Sequence, residues 1–358
     1  MERKQLEINL NYKGFWDWFL TKEQDFYKIV EKGDQEAIEK DFFDEIAPRL
    51  SQINEGYYFL TGMSNDSTAE LVLTADGEIS NVVFVEELIA AAPQLDHWKF
   101  TALKPEQDIE KVNVTMGDYR FTKENIFFYS NEQEEYPDEI DLVFVYYGNS
   151  ENKDAVTTGI CIFLDSFLGE LNFATQIDTF TVIGKDQTNH ELIPIEKLKD
   201  FLLWREREFT EKYKSVKRAD VEDEFSILRA TLNNERPLIA CMNLPLLNYD
   251  AKASYPWISV LKFHYNGENN DGLPEKEDFE KLGNIEDKAV EDLKEKGYLY
   301  IGRETADNIK ESYFAGKDFR EISKVFKTIK DSTPEYKISF RIFKDKYWQY
   351  FKYYNNAV

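Results

Sequence analysis

The chain has 358 residues, a formal net charge of −24 and 15% aromatic residues. At roughly 100–200 residues per domain this length makes two domains or three, and 42% hydrophobic residues exclude a largely disordered acidic chain. Acidity of this size repels phosphate, which disfavours a DNA-coating or anionic-membrane role for the molecule as a whole.

Along the chain, the spacing predicts a helix over Phe15–Val30, with Phe15, Trp18, Phe19, Phe26 and Ile29 on one side. A second helix is predicted over Asp34–Ile53, capped by Asp34. There Ile38, Phe42, Ile46, Leu50 and Ile53 recur at steps of four and three. Tyr57–Thr61 and Ala69–Thr74 read as strands, with Asp76-Gly77 as a turn after the second. Val82–Ala91 reads as a short helix stopped by Pro93. Asn125–Ser130, Ile140–Tyr147 and Asp178–Ile183 read as strands. Asp154–Glu170 leans towards helix with Gly169 near its end, and Ile195–Tyr213 is a helix with Leu198, Leu202 and Phe209 inward.

Further on, Pro237–Leu244 and Trp257–Tyr265 read as strands. A helix over Lys276–Lys296 carries Phe279, Leu282, Ile285, Ala289 and Leu293, and Gly297 ends it. Strands follow at Tyr298–Gly302 and Asn308–Phe314, then a helix over Asp318–Lys330, a strand at Lys337–Phe343 and a short helix at Tyr347–Tyr354. From Trp257 on, the order is β-α-β-β-α-β, the ferredoxin-like arrangement. The expected fold class is α+β, with that sandwich at the C-terminus and a mixed α/β sheet packed by helices before it.

Charge divides the chain. Residues 1–215 carry a net of −22 and residues 216–358 a net of −2. The expected domains are therefore 1–215, acidic, and 235–358, joined by a charged linker over 216–234. The N-terminal residues contain no continuous apolar stretch of the signal-peptide kind, and runs such as Leu142–Tyr147 and Gly159–Leu164 fall far short of the roughly 20 residues of a membrane helix. Only Cys161 and Cys241 are present, so no disulfide framework is expected, and the expected compartment is the cytoplasm.

The chemistry of the sequence is defined by what is missing. The three histidines, His97, His190 and His264, stand at no metal-ligand spacing to one another or to a cysteine. His264 alternates with Phe263 and Tyr265 and so points away from both. Cys161 and Cys241 sit among apolar neighbours and read as small buried residues. There is no G-x-S-x-G elbow and no phosphate-cradling glycine loop. Asn266–Asp278 lacks the ligand pattern of a calcium loop and reads as a strand-to-helix connection capped by Asp271. No catalytic, cofactor-binding or metal-ligating residue is identified, and no cofactor is expected.

Two charge features remain. Glu132, Glu134, Glu135, Asp138, Glu139 and Asp141 form the densest acidic run, and Asp41, Asp44 and Glu45 lie together on the polar side of the second helix. Solvated surface is the simpler reading of both. The functional reading is a contact for a basic partner, made by Glu132, Glu134, Glu135, Asp138 and Glu139 and extended by Asp41, Asp44 and Glu45. The C-terminal stretch 337–354 inverts the sign, with Lys337, Arg341, Lys344, Lys346 and Lys352 against Asp345. Phe340, Tyr347, Trp348 and Phe351 are expected to pack under the sheet while the lysines snorkel outward.

The last third carries Tyr255-Pro256-Trp257, Asp271-Gly272-Leu273-Pro274, Ile285-Glu286-Asp287, Gly302-Arg303-Glu304-Thr305, Tyr313 and Asp345-Lys346-Tyr347-Trp348-Gln349-Tyr350. In these it resembles the bacterial domain of unknown function family 695, which is itself similar to the regulator of ribonuclease E activity B, an acidic protein inhibitor. The resemblance implies a ferredoxin-like sandwich and binding in place of catalysis. It implies no catalytic residue.

The expectation is therefore a non-enzymatic protein-binding or regulatory module that meets a basic protein partner through an acidic surface. The alternative is a carboxylate-based, metal-assisted hydrolase. A pocket of converging carboxylates with a raised pKa would favour it. The third reading is weak RNA contact through the basic aromatic C-terminus. A membrane role is not expected, and the sequence leaves the oligomeric state open.

Overall fold

The computed structural model describes residues 2–148, 151–214, 216 and 223–354. It is a mixed α and β protein whose contacts divide it into two units, Met1–Glu132 with Ile140–Trp204, and Gln133–Glu139 with Arg205–Val358.

The first unit opens with α1 (Glu2–Lys32), ended by Gly33 at φ 66°. Its buried face is Tyr12, Phe15, Trp16, Phe19, Phe26 and Val30. The stripe thus runs through Trp16 and Val30 where Trp18 and Ile29 were expected. The Trp16 indole donates to the Leu88 carbonyl at 2.8 Å, while Trp18 lies half-buried under the Arg49 guanidinium. Asp34 caps the next segment as predicted, accepting from the Glu36 and Ala37 amides.

That segment is not one regular helix. A turn of α2 (Gln35–Ala37) leads into a π stretch over Ile38–Phe43 and then α3 (Asp44–Ile53). The Asp44 amide reaches back five residues to the Glu39 carbonyl, the wide ring that defines a π turn. Phe42, Ile46 and Leu50 keep the inward face.

β1 (Tyr58–Asn65) and β2 (Thr68–Thr74) form a hairpin. Asp76 and Gly77, both at positive φ, then turn the chain into α4 (Ile79–Ala90). β3 (Trp98–Ala102) returns parallel to β2. The hairpin β4 (Val114–Met116) and β5 (Tyr119–Phe121) follows. Next come β6 (Ile126–Asn131), β7 (Asp141–Tyr146), α5 (Lys153–Leu168), α6 (Glu170–Gln176), β8 (Thr179–Gly184), the short β9 (Ile193–Pro194) and α7 (Leu198–Tyr213). The order of this second sheet is β8-β7-β6-β9, with β7 and β8 parallel across α5 and α6. All six residues of β7 are buried, which explains its unbroken apolar run in the sequence. Phe128, Phe144, Phe163, Leu164 and Leu198 share the core beneath it.

The second unit holds one antiparallel sheet. Its strands are β10 (Phe225–Thr231), β11 (Pro237–Asn243), β12 (Trp257–His264), β13 (Leu299–Ala306), β14 (Ile309–Gly316) and β15 (Lys337–Lys344), in the order β10-β11-β13-β14-β12-β15. A single turn, α8 (Leu244–Leu247), follows β11. The longer helices are α9 (Lys276–Glu295) and α10 (Arg320–Ser332). The stretch 216–234 is therefore not linker throughout. Its charges masked the alternation of Phe225, Ile227 and Arg229 along β10.

Two further expectations give way here. Asp271 does not cap α9. It sits at φ 51° in a turn with Gly272, and Glu275 occupies the cap without a side-chain bond. On α9, Glu286 takes the inward place given to Ile285, while Phe279 is 62% exposed. The step 282-286-289-293 keeps the helical period, with a carboxylate where an apolar side chain was expected.

The opposite face of the sheet packs Ile258, Val260, Tyr313, Trp348 and Phe351 together, so the closing 3₁₀ turn Gln349–Tyr354 does lie under the sheet. No single helix among the described residues is long and apolar enough to cross a membrane.

Candidate functional site

The most developed polar centre is built around Glu286, 1% exposed on α9. Its Oε1 accepts from the Tyr300 hydroxyl at 2.8 Å and the Ser312 hydroxyl at 2.5 Å. Its Oε2 pairs with the Arg303 guanidinium and the Lys310 ammonium, both at 2.8 Å. A bulge in β13 makes this possible. The register to β14 shifts between Tyr300 and Gly302, so Tyr300 faces Phe314 and Arg303 faces Ser312. Phe314 and Ser312 are two apart and share a face, so the bulge brings Tyr300 and Arg303 to that face as well. Gly302 holds the kink at φ 146°, where an added Cβ would lie 2.4 Å from the Cys241 carbonyl oxygen.

Burial works against the Glu286 charge, but Lys310 and Arg303 outweigh it and hold the carboxyl below its ordinary range. Burial dominates at Lys310, whose ammonium is held below its ordinary value despite Glu286. Beside this centre lies a cavity of about 530 Å³, lined in part by Phe225, Cys241, Val290, Lys294, Tyr300 and Arg303.

The first unit has a second polar centre at a cavity of about 430 Å³. Glu170, 2% exposed at the sharp turn from α5 to α6, accepts from the Thr74 hydroxyl at 2.5 Å and from the Gly77 and Lys104 amides at 3.0 Å. The Lys104 ammonium lies 2.9 Å from Asp165 and 3.2 Å from Asp76. Burial pushes the Asp165 carboxyl above its ordinary value although Lys104 opposes the shift. Burial and the nearby Asp165 push the Cys161 thiol up as well, so it is not poised as a thiolate.

The acidic residues singled out in the sequence fall in different places. Asp41, Asp44 and Glu45 are exposed in the first unit, with Glu36 and Glu39 beside them in sequence. Glu132 is exposed and ends the first unit's segment, while Glu134 and Glu135 are exposed in the second. Asp138 and Glu139 are committed within the second unit. Asp138 accepts from the Lys212 ammonium and the Tyr213 hydroxyl at 2.8 Å, and from the Tyr347 hydroxyl at 2.7 Å. Burial raises its carboxyl, but bonds from Lys212, Tyr347 and Tyr213 prevail and hold it below the usual range. Glu139 accepts from the Gln349 amide at 2.8 Å.

The basic C-terminal segment is likewise mostly engaged. Lys346 does not snorkel. It is 5% exposed, donating to the Asp138 carbonyl oxygen. Trp348 and Phe351 are buried, and the Arg341 guanidinium stacks 4.9 Å from the Tyr350 ring. His264 does point away from buried Phe263 and Tyr265, and burial with nearby Lys337 and Lys262 lowers its pKa. His190 stacks on Tyr129 at 4.3 Å. Among the described residues no group of three or more His, Cys, Asp or Glu side chains could hold a metal ion.

Sequence reasoning passed over Tyr300, Lys310, Lys104 and Glu170, and quoted Glu286 and Arg303 only as carriers of the family resemblance, with no role. Glu286 left a trace, a charged residue on the apolar stripe of a strongly periodic helix. No curated protein and no solved structure matches the chain. Residues 224–354, from just before β10 to the closing turn, match the model of a family of unknown function, DUF695.

Proposed function

We propose that this protein acts by binding a basic protein partner through acidic surface on its N-terminal part, and not by catalysis. The observation that carries this reading is the segment 36–45. Glu36, Glu39, Asp41, Asp44 and Glu45 all face solvent there, and none of them pairs with a lysine or arginine among the described residues. Unpaired exposed carboxylates on a unit of large negative charge attract basic surfaces and speed encounter, and salt weakens the attraction. Glu132 is exposed in the same unit, and Glu134 and Glu135 are exposed in the second, whereas Asp138 and Glu139 serve their own unit.

The chain order β12-α9-β13-β14-α10-β15, with sheet neighbours β13-β14-β12-β15, supports a ferredoxin-like C-terminal domain extended by the β10-β11 hairpin. That fold is the one implied by the resemblance of this third to family 695, through that family's own similarity to an acidic protein inhibitor.

The test is capture of purified basic proteins on the immobilised chain, compared with the triple variant Asp41→Asn, Asp44→Asn, Glu45→Gln. Retention at low salt that falls at high salt and drops in the variant is expected. Equal retention by the variant sinks the reading.

The hydrolase alternative has one observation in its favour, the half-buried Asp165 with its raised pKa beside a cavity. Its carboxylates converge on Lys104, which leaves less room for a reacting group. Ester or phosphoester turnover that Asp165→Asn abolishes would replace the binding reading with this one.

A further inference from the structure

We infer that the cavity beside α9 is a binding site for a small monocarboxylate with an apolar body, held by Arg303. At about 530 Å³ it falls in the range of small-ligand pockets. Its walls include the apolar Val290, Leu293 and Phe314 and the rings of Tyr298 and Tyr300, so an apolar body is covered on several sides.

The head group follows from charge. Glu286 stands between two cations, Arg303 and Lys310, all at least partly withdrawn from water. The trio carries one positive charge more than it neutralises. One Arg303 nitrogen donates to Glu286, and its side chain keeps 34% exposure on the cavity wall. The rest of its planar fork of donors suits a carboxylate. Buried Glu286 fixes the guanidinium in advance, which reduces the ordering cost of binding.

The rim limits the choice. Exposed Lys294 and Asp287 offset each other there, and Asp223, which accepts from the Asn243 amide at 2.7 Å, adds a second carboxylate. A monocarboxylate takes the Arg303 donors that Glu286 leaves, whereas a dianionic phosphate monoester would bring a second charge towards Asp223 and Asp287. The site lies wholly in the second unit and is independent of the basic-partner reading.

Cys241 on the cavity wall supplies the probe. In full-length protein with Cys161→Ser it is the only thiol, and its alkylation by N-ethylmaleimide is timed with 4-phenylbutyrate, octanoate or uncharged 4-phenylbutyramide present. Titration calorimetry of the same compounds gives a readout that does not depend on the thiol. The carboxylates are expected to slow alkylation several-fold and the amide to leave it unchanged. Arg303→Gln should weaken binding by about 10- to 100-fold, the weight of a charge-assisted bond. Val290→Trp, which fills the cavity from the helix and leaves the Glu286 trio in place, should abolish binding in a protein with unaltered circular dichroism. The inference is overturned if neither carboxylate protects Cys241 or gives heat at millimolar concentration, if the amide binds equally well, or if Val290→Trp binds like the parent.

Discussion

Tyr300 and Arg303 stand three residues apart on one strand, yet both reach the carboxylate of Glu286. A regular strand would send them to opposite faces. The bulge at Gly302 reverses that, and its φ of 146° with the Cys241 carbonyl 2.4 Å from any added Cβ leaves room only for glycine. Gly302→Ala should therefore destabilise the protein by about 2–3 kcal/mol. Urea unfolding followed by tryptophan fluorescence checks this. A loss below about 0.5 kcal/mol would mean the bulge relaxes freely.

Removing the carboxylate itself should cost more. Glu286→Gln leaves buried Lys310 beside half-buried Arg303 with no counter-charge, a loss of about 3 kcal/mol at neutral pH. The sign of the pH effect follows from the lowered carboxyl pKa. The stability it confers is complete above the unfolded value of about 4.3 and is lost as pH falls through the lower folded value. The wild type should show this acid loss and Glu286→Gln should lack it. Denaturation midpoints at neutral and acid pH separate the two.

Asp138 makes a different commitment. It ties the segment Gln133–Glu139 to Lys212, Tyr213 and Tyr347. Asp138→Asn keeps the shape but halves the acceptors and removes the charge. A loss of about 1–3 kcal/mol is expected, with faster amide exchange confined to 133–139 and the segments it touches in α7 and at 346–349. Unchanged exchange there would show that the backbone bonds of the segment suffice.

Periodicity carried most of the architecture. The helices Lys276–Glu295 and Arg320–Ser332 and the strands around them lie close to where their spacing put them, because each buries a single apolar face. Phe42, Ile46 and Leu50 were legible for the same reason, but the π turn before them was not, since an extra residue in a ring leaves no compositional mark. β3 was missed because its pairing partner β2 is distant in sequence, and β10 because charged residues precede it and its hairpin partner β11 gives it little burial. The Glu286 site is a product of register. A bulge of one residue decides which side chains meet, and single-strand alternation predicts the opposite.

Asp165 provides the sharpest contrast with Glu286. Both are carboxylates paired with a lysine, but burial wins at Asp165 and its pKa rises, with Glu170 and Asp76 adding to the shift against Lys104. A raised carboxyl pKa reverses the linkage. The group favours the fold most below the unfolded value of about 3.9, and that contribution is lost as pH rises through the folded value. Asp165→Asn, which can still accept from Lys104 at 2.9 Å, should raise the melting temperature at pH 7–8. The gain should shrink as pH falls towards 4. A melting temperature that drops at neutral pH would show that the ion pair outweighs the burial. Lys104→Met, which strands Asp165 without its counter-ion, should enlarge the neutral-pH penalty that Asp165→Asn removes, so the double variant should recover most of what Lys104→Met loses.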